Sequence, residues 1–222
     1  MSELATMDAV ILCGGEGTRV RHLLPEGMSK CMADVGGKPF IRILVDQLMG
    51  DEHAIGKFGD FGTFVFATGY GASAVESYLE TTYRFGMHGC RWWKFSYEKR
   101  LLGTAGAIKN AASLIESDHF FIVNGDTFCD VNYQTMLTYH EATKSVITVA
   151  CDREFRHVGT FVASKRFVDL IPKTDAKVDM AEVFTLLGQR HEPVGWFVTD
   201  APFYDIGDEV KLTTFRNYWA RL

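Results

Sequence analysis

"DAVILCGGEGTRV" occupies residues 8–20. An apolar run leads straight into a loop with glycine at 14, 15 and 17, and the loop ends on Thr18 and Arg19. The apolar run reads as a buried strand. Glycine costs backbone entropy, so this density suits a chain that must come close to something. Successive N–H groups can then point at an anion, and Arg19 can neutralise it. A tight surface turn accounts for the glycines alone equally well. The loop is neither GxxxxGK[ST] nor GxGxxG, so neither a Walker-type nor a dinucleotide fingerprint is present.

Working outward, strand and helix patterns alternate. "GKPFIRILVDQLMG" (37–50) places Pro39 at a helix start and repeats Phe40, Leu44 and Leu48 every four residues. "TFVFATGY" (63–70) reads as a strand, "SAVESYLETTY" (73–83) as a helix and the aromatic "CRWWKFSYE" (90–98) as a strand. "GTAGAIKNAASLI" (103–115) is helical after its glycines, and "HFFIVNGD" (119–126) is a strand ending in an acid. "YQTMLTYHEAT" (133–143) is a helix, "SVITVACD" (145–152) a strand, and "GTFVASKRFVDLIP" (159–172) passes from strand to helix. "VDMAEVFTLLGQR" (178–190) is helical, 194–207 holds strand material, and 208–222 is a closing amphipathic helix. The alternation predicts an α/β fold, a Rossmann-like three-layer sandwich with a mostly parallel central sheet. Neither a repeat nor a Pro/Gly/Ser linker interrupts it, so one domain over 1–222 is expected.

Of 222 residues 47% are hydrophobic, enough for a full core, and the formal net charge is -5 with a pI of about 5.8. That balance argues against a nucleic-acid or membrane-surface partner. Apolar stretches are strand-sized, and no basic region followed by an apolar core marks a signal peptide. The cysteines at 13, 31, 90, 129 and 151 are scattered, without a CxxC pair. They read as small buried hydrophobes in a reduced, cytoplasmic setting. The histidines form no ligand-spaced pair, and His88, His140 and His191 are expected on surfaces or helix faces.

In sheets of this kind ligands sit beyond the C-terminal strand ends. Asp126 in "NGDTFCD" and Asp205 in "FYDIGDE" each follow a strand. Together they suit one Mg²⁺, which takes a few carboxylates plus phosphate oxygens and water. Taken singly, Asn-Gly-Asp is ordinary turn chemistry and Asp205 could cap the last helix. Lys30 and Lys38 flank "CMADVGG" and are phosphate-suited cations or plain surface lysines. The small residues Gly103 to Gly106 leave room for a nucleobase, or serve close helix–sheet packing.

Taken together, "LCGGEGTRV…SKCMADVGGKPFI", "LLGTAGAIKNA", "VNGDTFCDVNY" and "FYDIGDEVKL" resemble the sugar-1-phosphate nucleotidyltransferase family over residues 8 to about 150 and again near 200. Within it the chain is most similar to the D-glycero-D-manno-heptose 1-phosphate guanylyltransferases, with the mannose-1-phosphate enzymes next. The resemblance implies attack of a sugar 1-phosphate on an NTP, most readily GTP, with release of pyrophosphate. It implies catalytic roles for Arg19 and Lys30. Nucleotide contacts are implied for Leu12, Gly14, Gly15, Glu16, Gly17, Thr18, Gly103 and Thr104, and Mg²⁺ on Asp126 and Asp205. It implies a nucleotide-binding part over about 1–150, an acceptor side over about 151–222 and a product feeding surface polysaccharide. A homo-oligomer is compatible, with "RWWKF" as core or interface.

Three departures stand out. Cys31 replaces the proline that usually follows the signature lysine. Leu101 replaces the proline before "LGTAG", with Arg100 where an acid is common. After "VACDRE" the chain reaches "FRHVGTFVASKRF" at once, roughly two dozen residues short of the family pattern. The acceptor-side lysine is therefore unassigned, Lys165 and Lys173 being poor substitutes. A cytidylyl-, uridylyl- or thymidylyltransferase, or a non-catalytic nucleotide-sugar-binding module, remains the competing expectation.

Overall fold

The computed structural model describes residues 7–50, 61–83 and 92–222. The chain runs β1 (Met7–Leu12), a short pair β2 (Asp34–Val35) and β3 (Lys38–Pro39), α1 (Phe40–Met49), β4 (Phe61–Thr68), α2 (Ala72–Thr82) and β5 (Trp92–Tyr97). Next come α3 (Gly103–Ala111), β6 (His119–Asn124), β7 (Thr127–Cys129), α4 (Tyr133–Thr143), β8 (Ile147–Cys151) and β9 (His157–Ser164). The last stretch holds α5 (Lys165–Leu170), α6 (Met180–Gln189), β10 (Val194–Val198), β11 (Phe203–Asp205) and α7 (Glu209–Trp219).

The described residues form a seven-stranded sheet in the order β10-β8-β9-β6-β1-β4-β5. β1 pairs in parallel with both β4 and β6, and β10 with β8. β9 alone among these strands runs antiparallel to its neighbours. The mostly parallel sheet expected from the sequence is therefore present. Period-two alternation splits its side chains between two faces. Ala9, Ile11, Phe64 and Phe66 meet Ile41, Leu44, Leu48, Val75 and Leu79 from α1 and α2 on one face. Val10, Val65, Phe120 and Ile122 meet Ala105, Ile108, Phe167 and Leu187 from α3, α5 and α6 on the other. Both sheet faces are covered, so the strands read as continuous apolar runs. Each fully buried Leu or Phe here contributes about 1.5–3 kcal/mol by leaving water. Trp93 and Phe95 stack beside Phe66, which places this part of the aromatic stretch on the core. Arg91, Cys90 and His88 lie outside the described residues.

α7 packs elsewhere. Leu212 and Phe215 join Phe40, Ile43, Phe128 and Ile206 in a smaller cluster over the β7–β11 ribbon. Asp208 caps α7 by accepting from the Lys211 N–H, so Asp205 is left for other work. β8 passes into β9 through residues 152–156, where the Asp152 carboxylate accepts from the Glu154 and Arg156 amides. The segment that is short by comparison with the family pattern is thus a closed turn between two paired strands. No helix among the described residues is long and apolar enough to cross a membrane.

His140 lies on a helix face, as expected, and that face is the buried one. It lies on α4 and is fully buried, with Nδ1 2.8 Å from Thr148 Oγ1 and Nε2 3.1 Å from His119 Nδ1. Burial, helped by His119, holds its pKa down to about 4. Between that value and the ordinary 6.5 the unfolded chain binds a proton that the folded chain refuses. Stability is therefore full above this window and falls as pH drops through it, by about 2 kcal/mol at pH ~5. Urea unfolding near pH 7 and pH 5 checks this, and a His140→Gln chain should show the smaller loss.

Candidate active site

The sheet reverses its winding between β1 and β6, so β4 and β5 extend to one side and β9, β8 and β10 to the other. Such a switch point opens a crevice at the C-terminal strand ends. The loop after β1 and the Asn124–Asp126 turn after β6 both emerge there. A cavity of about 400 Å³ occupies the crevice, lined by Leu12 and Gly14 to Thr18, by Ser29 to Cys31, by Gly103 and Thr104, and by Asn124 to Asp126. Of the residues singled out by sequence, Leu12, Gly14, Gly15, Glu16, Gly17, Thr18, Lys30, Gly103, Thr104 and Asp126 meet in this one space. Lys38 lies exposed on β3, away from it.

The glycine loop is tied at both ends. Cys13 N–H donates to the Ala67 carbonyl at 2.7 Å and Val20 N–H to the Gly17 carbonyl at 3.0 Å. Between these bonds the N–H groups of Gly14 to Thr18 have no protein partner among the described residues. A run of unpaired amides at a cavity wall is a seat for an anion. Gly17 sits at φ +57° with its α-carbon turned toward Lys30, whose Cβ would lie 3.0 Å from an added methyl. A side chain there would strain the backbone and displace the lysine stem.

Lys30 opens a turn of 3-10 helix at 30–32 and reaches across the cavity to the Asp126 carboxylate. The lysine side chain keeps 17% exposure and the aspartate 29%. This is a charge pair at a wet wall rather than a buried core bridge. The Thr127 hydroxyl also donates to Asp126, at 3.1 Å.

Arg19 and Asp205 are not among the lining residues; they share a neighbouring corner. A Cβ on Gly207 would lie 2.7 Å from Asp205 Oδ1 and 3.4 Å from an Arg19 guanidinium nitrogen. The β7–β11 ribbon brings this corner to the cavity, because Asp205 pairs with Thr127 and Ile206 N–H donates to the Asp126 carbonyl at 2.9 Å. Lys211 holds the Asp205 carboxylate at 2.8 and 3.0 Å. The two acids therefore come from adjacent backbone, and each carries a lysine. Hard carboxylate oxygens compensated by mobile cations fit a site that takes Mg²⁺. Among the described residues no set of three or more His, Cys, Asp or Glu gathers, so phosphate oxygens and water would complete such a shell.

The α3 entrance serves packing and lining at once. The Ala105 and Gly106 amides both donate to the Val178 carbonyl at 3.1 Å, and the Thr104 amide to Asp179 at 3.4 Å. Those helix-start donors are spoken for, while Gly103 and Thr104 still face the cavity.

Sequence reasoning passed over three groups. Glu98 is carried in beside β4 by its own N–H, which donates to the Thr68 carbonyl at 2.8 Å. Its Oε1 stands 2.8 Å from where a Cβ on Gly14 would be, and its Oε2 accepts from the Leu102 amide at 3.1 Å. Partial burial raises its carboxyl pKa, against the lowering effect of that amide. Its position two residues before Arg100 was the available signal, an acid slightly displaced from the expected place. Lys177, 2.9 Å from Asp179, adds an exposed cation at the cavity. Nothing local marks it, although Asp179 and Glu182 form a legible capping box for α6. Lys211 reaches Asp205 only through the fold.

These features have counterparts in known proteins. The chain is 32% identical over 158 residues to the D-glycero-alpha-D-manno-heptose 1-phosphate guanylyltransferase of Aneurinibacillus thermoaerophilus, covering 70% of this chain and 63% of that protein. It is 28% identical over 174 residues to the protein of the same name from Campylobacter jejuni, covering 78% and 69%. It thus spans just under two thirds of the first relative's length. The crystal structure of HddC from Yersinia pseudotuberculosis shares the fold, with a TM-score of 0.75 at 24% identity over 96% of this chain and 100% of that one. Residues 8–157 match the nucleotidyl transferase family, and they include β1, the glycine loop, Lys30, the α3 entrance and Asp126. With sequence match, fold and cavity in agreement, the chain belongs to the nucleotidyl transferase family.

Proposed function

We propose that the chain transfers the guanylyl group of GTP to D-glycero-D-manno-heptose 1-phosphate, giving a GDP-sugar and pyrophosphate. The observation that carries this reading is Lys30 held by Asp126 in a cavity that a run of unpartnered glycine-loop amides also lines. The sugar phosphate is already an anionic nucleophile, so no general base is needed. Its oxygen bonds to the α-phosphorus in line, and the bond to the β-phosphate oxygen breaks with its electron pair leaving on pyrophosphate. Positioning and charge stabilisation supply the catalysis. The loop amides and Arg19 hold the triphosphate. Lys30 Nζ donates to the α-phosphate oxygens as charge builds on them, and Asp126 keeps that amine in place. Asp126 and Asp205 would hold Mg²⁺, which supplies further neutralisation of phosphate charge.

Leu12, Gly14, Gly103 and Thr104 bound the space for base and ribose. Glu98 favours guanine there. A carboxylate only accepts hydrogen bonds, and guanine offers an amino group beside a ring N–H. Glu98→Gln introduces a competing donor and is expected to cut kcat/KM for GTP about 10-fold or more. Steady-state rates with each NTP check it, and an unchanged preference for GTP would remove Glu98 from base selection. Lys177, paired with Asp179 beside Gly103 and Thr104, adds a cation to that wall of the cavity.

The relatives' names support heptose 1-phosphate as acceptor. A cytoplasmic site of action and a product feeding surface polysaccharide synthesis belong to the same reading. Pyrophosphate release with ATP, GTP, CTP, UTP and dTTP against heptose 1-phosphate and mannose 1-phosphate tests base and acceptor together. Release with GTP and heptose 1-phosphate alone is expected. Release with mannose 1-phosphate alone would reassign the acceptor.

A further inference from the structure

Residues 69–71 form the turn between β4 and α2, and they touch both the glycine loop and the lysine turn without lining the cavity. A Cβ on Gly69 would lie 2.9 Å from the Gly14 carbonyl, and one on Gly71 would lie 2.4 Å from the Ser29 nitrogen. Between them Tyr70 carries the Arg21 guanidinium, whose carbon stands 4.6 Å from the ring centroid. Arg21 Nη2 in turn donates to the Glu16 carbonyl at 2.8 Å. Arg21, like Tyr70, is not among the lining residues.

A trans peptide is planar, with its C=O and N–H pointing opposite ways. Among the described residues no peptide bond is cis. The Glu16 carbonyl is held toward Arg21, outside the cavity. The Gly17 N–H on the same peptide therefore points away from Arg21, toward the cavity that Gly17 lines. Glycine at φ +57° tolerates either sense of that peptide, so the loop backbone does not fix its direction by itself. The bond from Arg21 does.

We propose that Arg21 and Tyr70 are positioning residues, which from outside the cavity turn the Gly17 amide to receive a triphosphate. Arg21 acts through the Glu16 carbonyl and not by touching the anion. Tyr70 keeps the guanidinium in place, because a cation is attracted to an aromatic face. The amide is then set before the anion arrives, and binding is spared the cost of ordering it. That the triphosphate belongs to GTP rests on the proposed function; the brace requires only a triphosphate.

The test is titration calorimetry of the full chain with GTP, with inorganic tripolyphosphate and with guanosine, no acceptor being present. Arg21→Met is expected to weaken GTP and tripolyphosphate about 10-fold and to leave guanosine within about 2-fold. A general disturbance of the fold would weaken guanosine as well. Tyr70→Leu changes no charge and should weaken the same two ligands about 3-fold, whereas Tyr70→Phe keeps the ring and should match wild type. In the Arg21→Met background Tyr70→Leu should add nothing, since its effect passes through the guanidinium. Four results overturn the proposal: an equal loss on guanosine, additive effects of the two substitutions, wild-type affinity for tripolyphosphate in Arg21→Met, or a wild type that binds neither GTP nor tripolyphosphate. A wild type that binds tripolyphosphate but not GTP would instead remove GTP from the proposed function, and tripolyphosphate alone would decide the brace.

Discussion

Replacing Lys30 with Met is expected to slow nucleotidyl transfer about 100- to 1000-fold, the range for removing one preorganised donor from a developing charge. The loss should fall on kcat more than on KM, because the amine matters most once the α-phosphate gathers charge. Stability should change by only about 1 kcal/mol, since the pair keeps 17% and 29% side-chain exposure and water can replace the lost partner. Lys30→Arg should rescue little. A guanidinium is planar and bulkier, and the space beside Gly17 is already filled by the lysine stem. Asp126→Asn should lose activity on the same scale, because it frees Lys30 and removes a carboxylate from the corner shared with Asp205. Single-turnover rates and circular dichroism on each variant check both halves of this expectation.

Gly71→Ala should produce the second large effect, from a residue outside the cavity lining. Gly71 begins α2 at φ +72°, and an added Cβ would lie 2.4 Å from the Ser29 nitrogen and 2.8 Å from the Gly27 carbonyl. Those neighbours are backbone and cannot rotate away. Left-handed strain and overpacking each cost about 1–3 kcal/mol. The relief available is to push residues 27–29 outward, and Lys30 comes next in the chain. Gly71→Ala is expected to lower stability by about 2–4 kcal/mol and turnover by more than about 10-fold. Gly15→Ala is the useful contrast: a Cβ there meets nothing within 4 Å. It should leave the melting temperature nearly unchanged while hindering the approach of a triphosphate. Thermal melts and turnover measured side by side separate the two substitutions. Equal melting temperatures for both would show that the contact with residues 27–29 yields without cost.

The fold was legible wherever one local signal dominated. α4 spans the stretch read from sequence, Tyr133 to Thr143, because Asn132 caps it through its own side chain. α2 starts at Ala72, one residue before the expected Ser73, with Gly71 in the left-handed conformation just ahead. β2, β3 and β7 are too short for periodicity to declare them. The antiparallel direction of β9 leaves no trace in an apolar run that would look the same in either sense. That the His140 face of α4 is buried is not legible in the sequence, because β6 and β8 supply its partners His119 and Thr148.

At the site, the glycine loop and Asp126 could be read because their chemistry is local. Glu98, Lys177 and Lys211 could not. Each reaches its place through an element remote in sequence: Glu98 through the β4–β5 pairing, Lys177 through the start of α6, and Lys211 through α7 and the β7–β11 ribbon.

The most direct test of the central claim follows the α-phosphorus itself. GTP labelled at that atom is incubated with Mg²⁺ and heptose 1-phosphate, beside the Lys30→Met chain. Label appearing in a GDP-sugar, with unlabelled pyrophosphate released in equal amount and product forming about 100- to 1000-fold more slowly in the variant, is the result this account predicts. Label remaining in GTP while heptose 1-phosphate and mannose 1-phosphate are both supplied, or product forming equally well without Lys30, would contradict it.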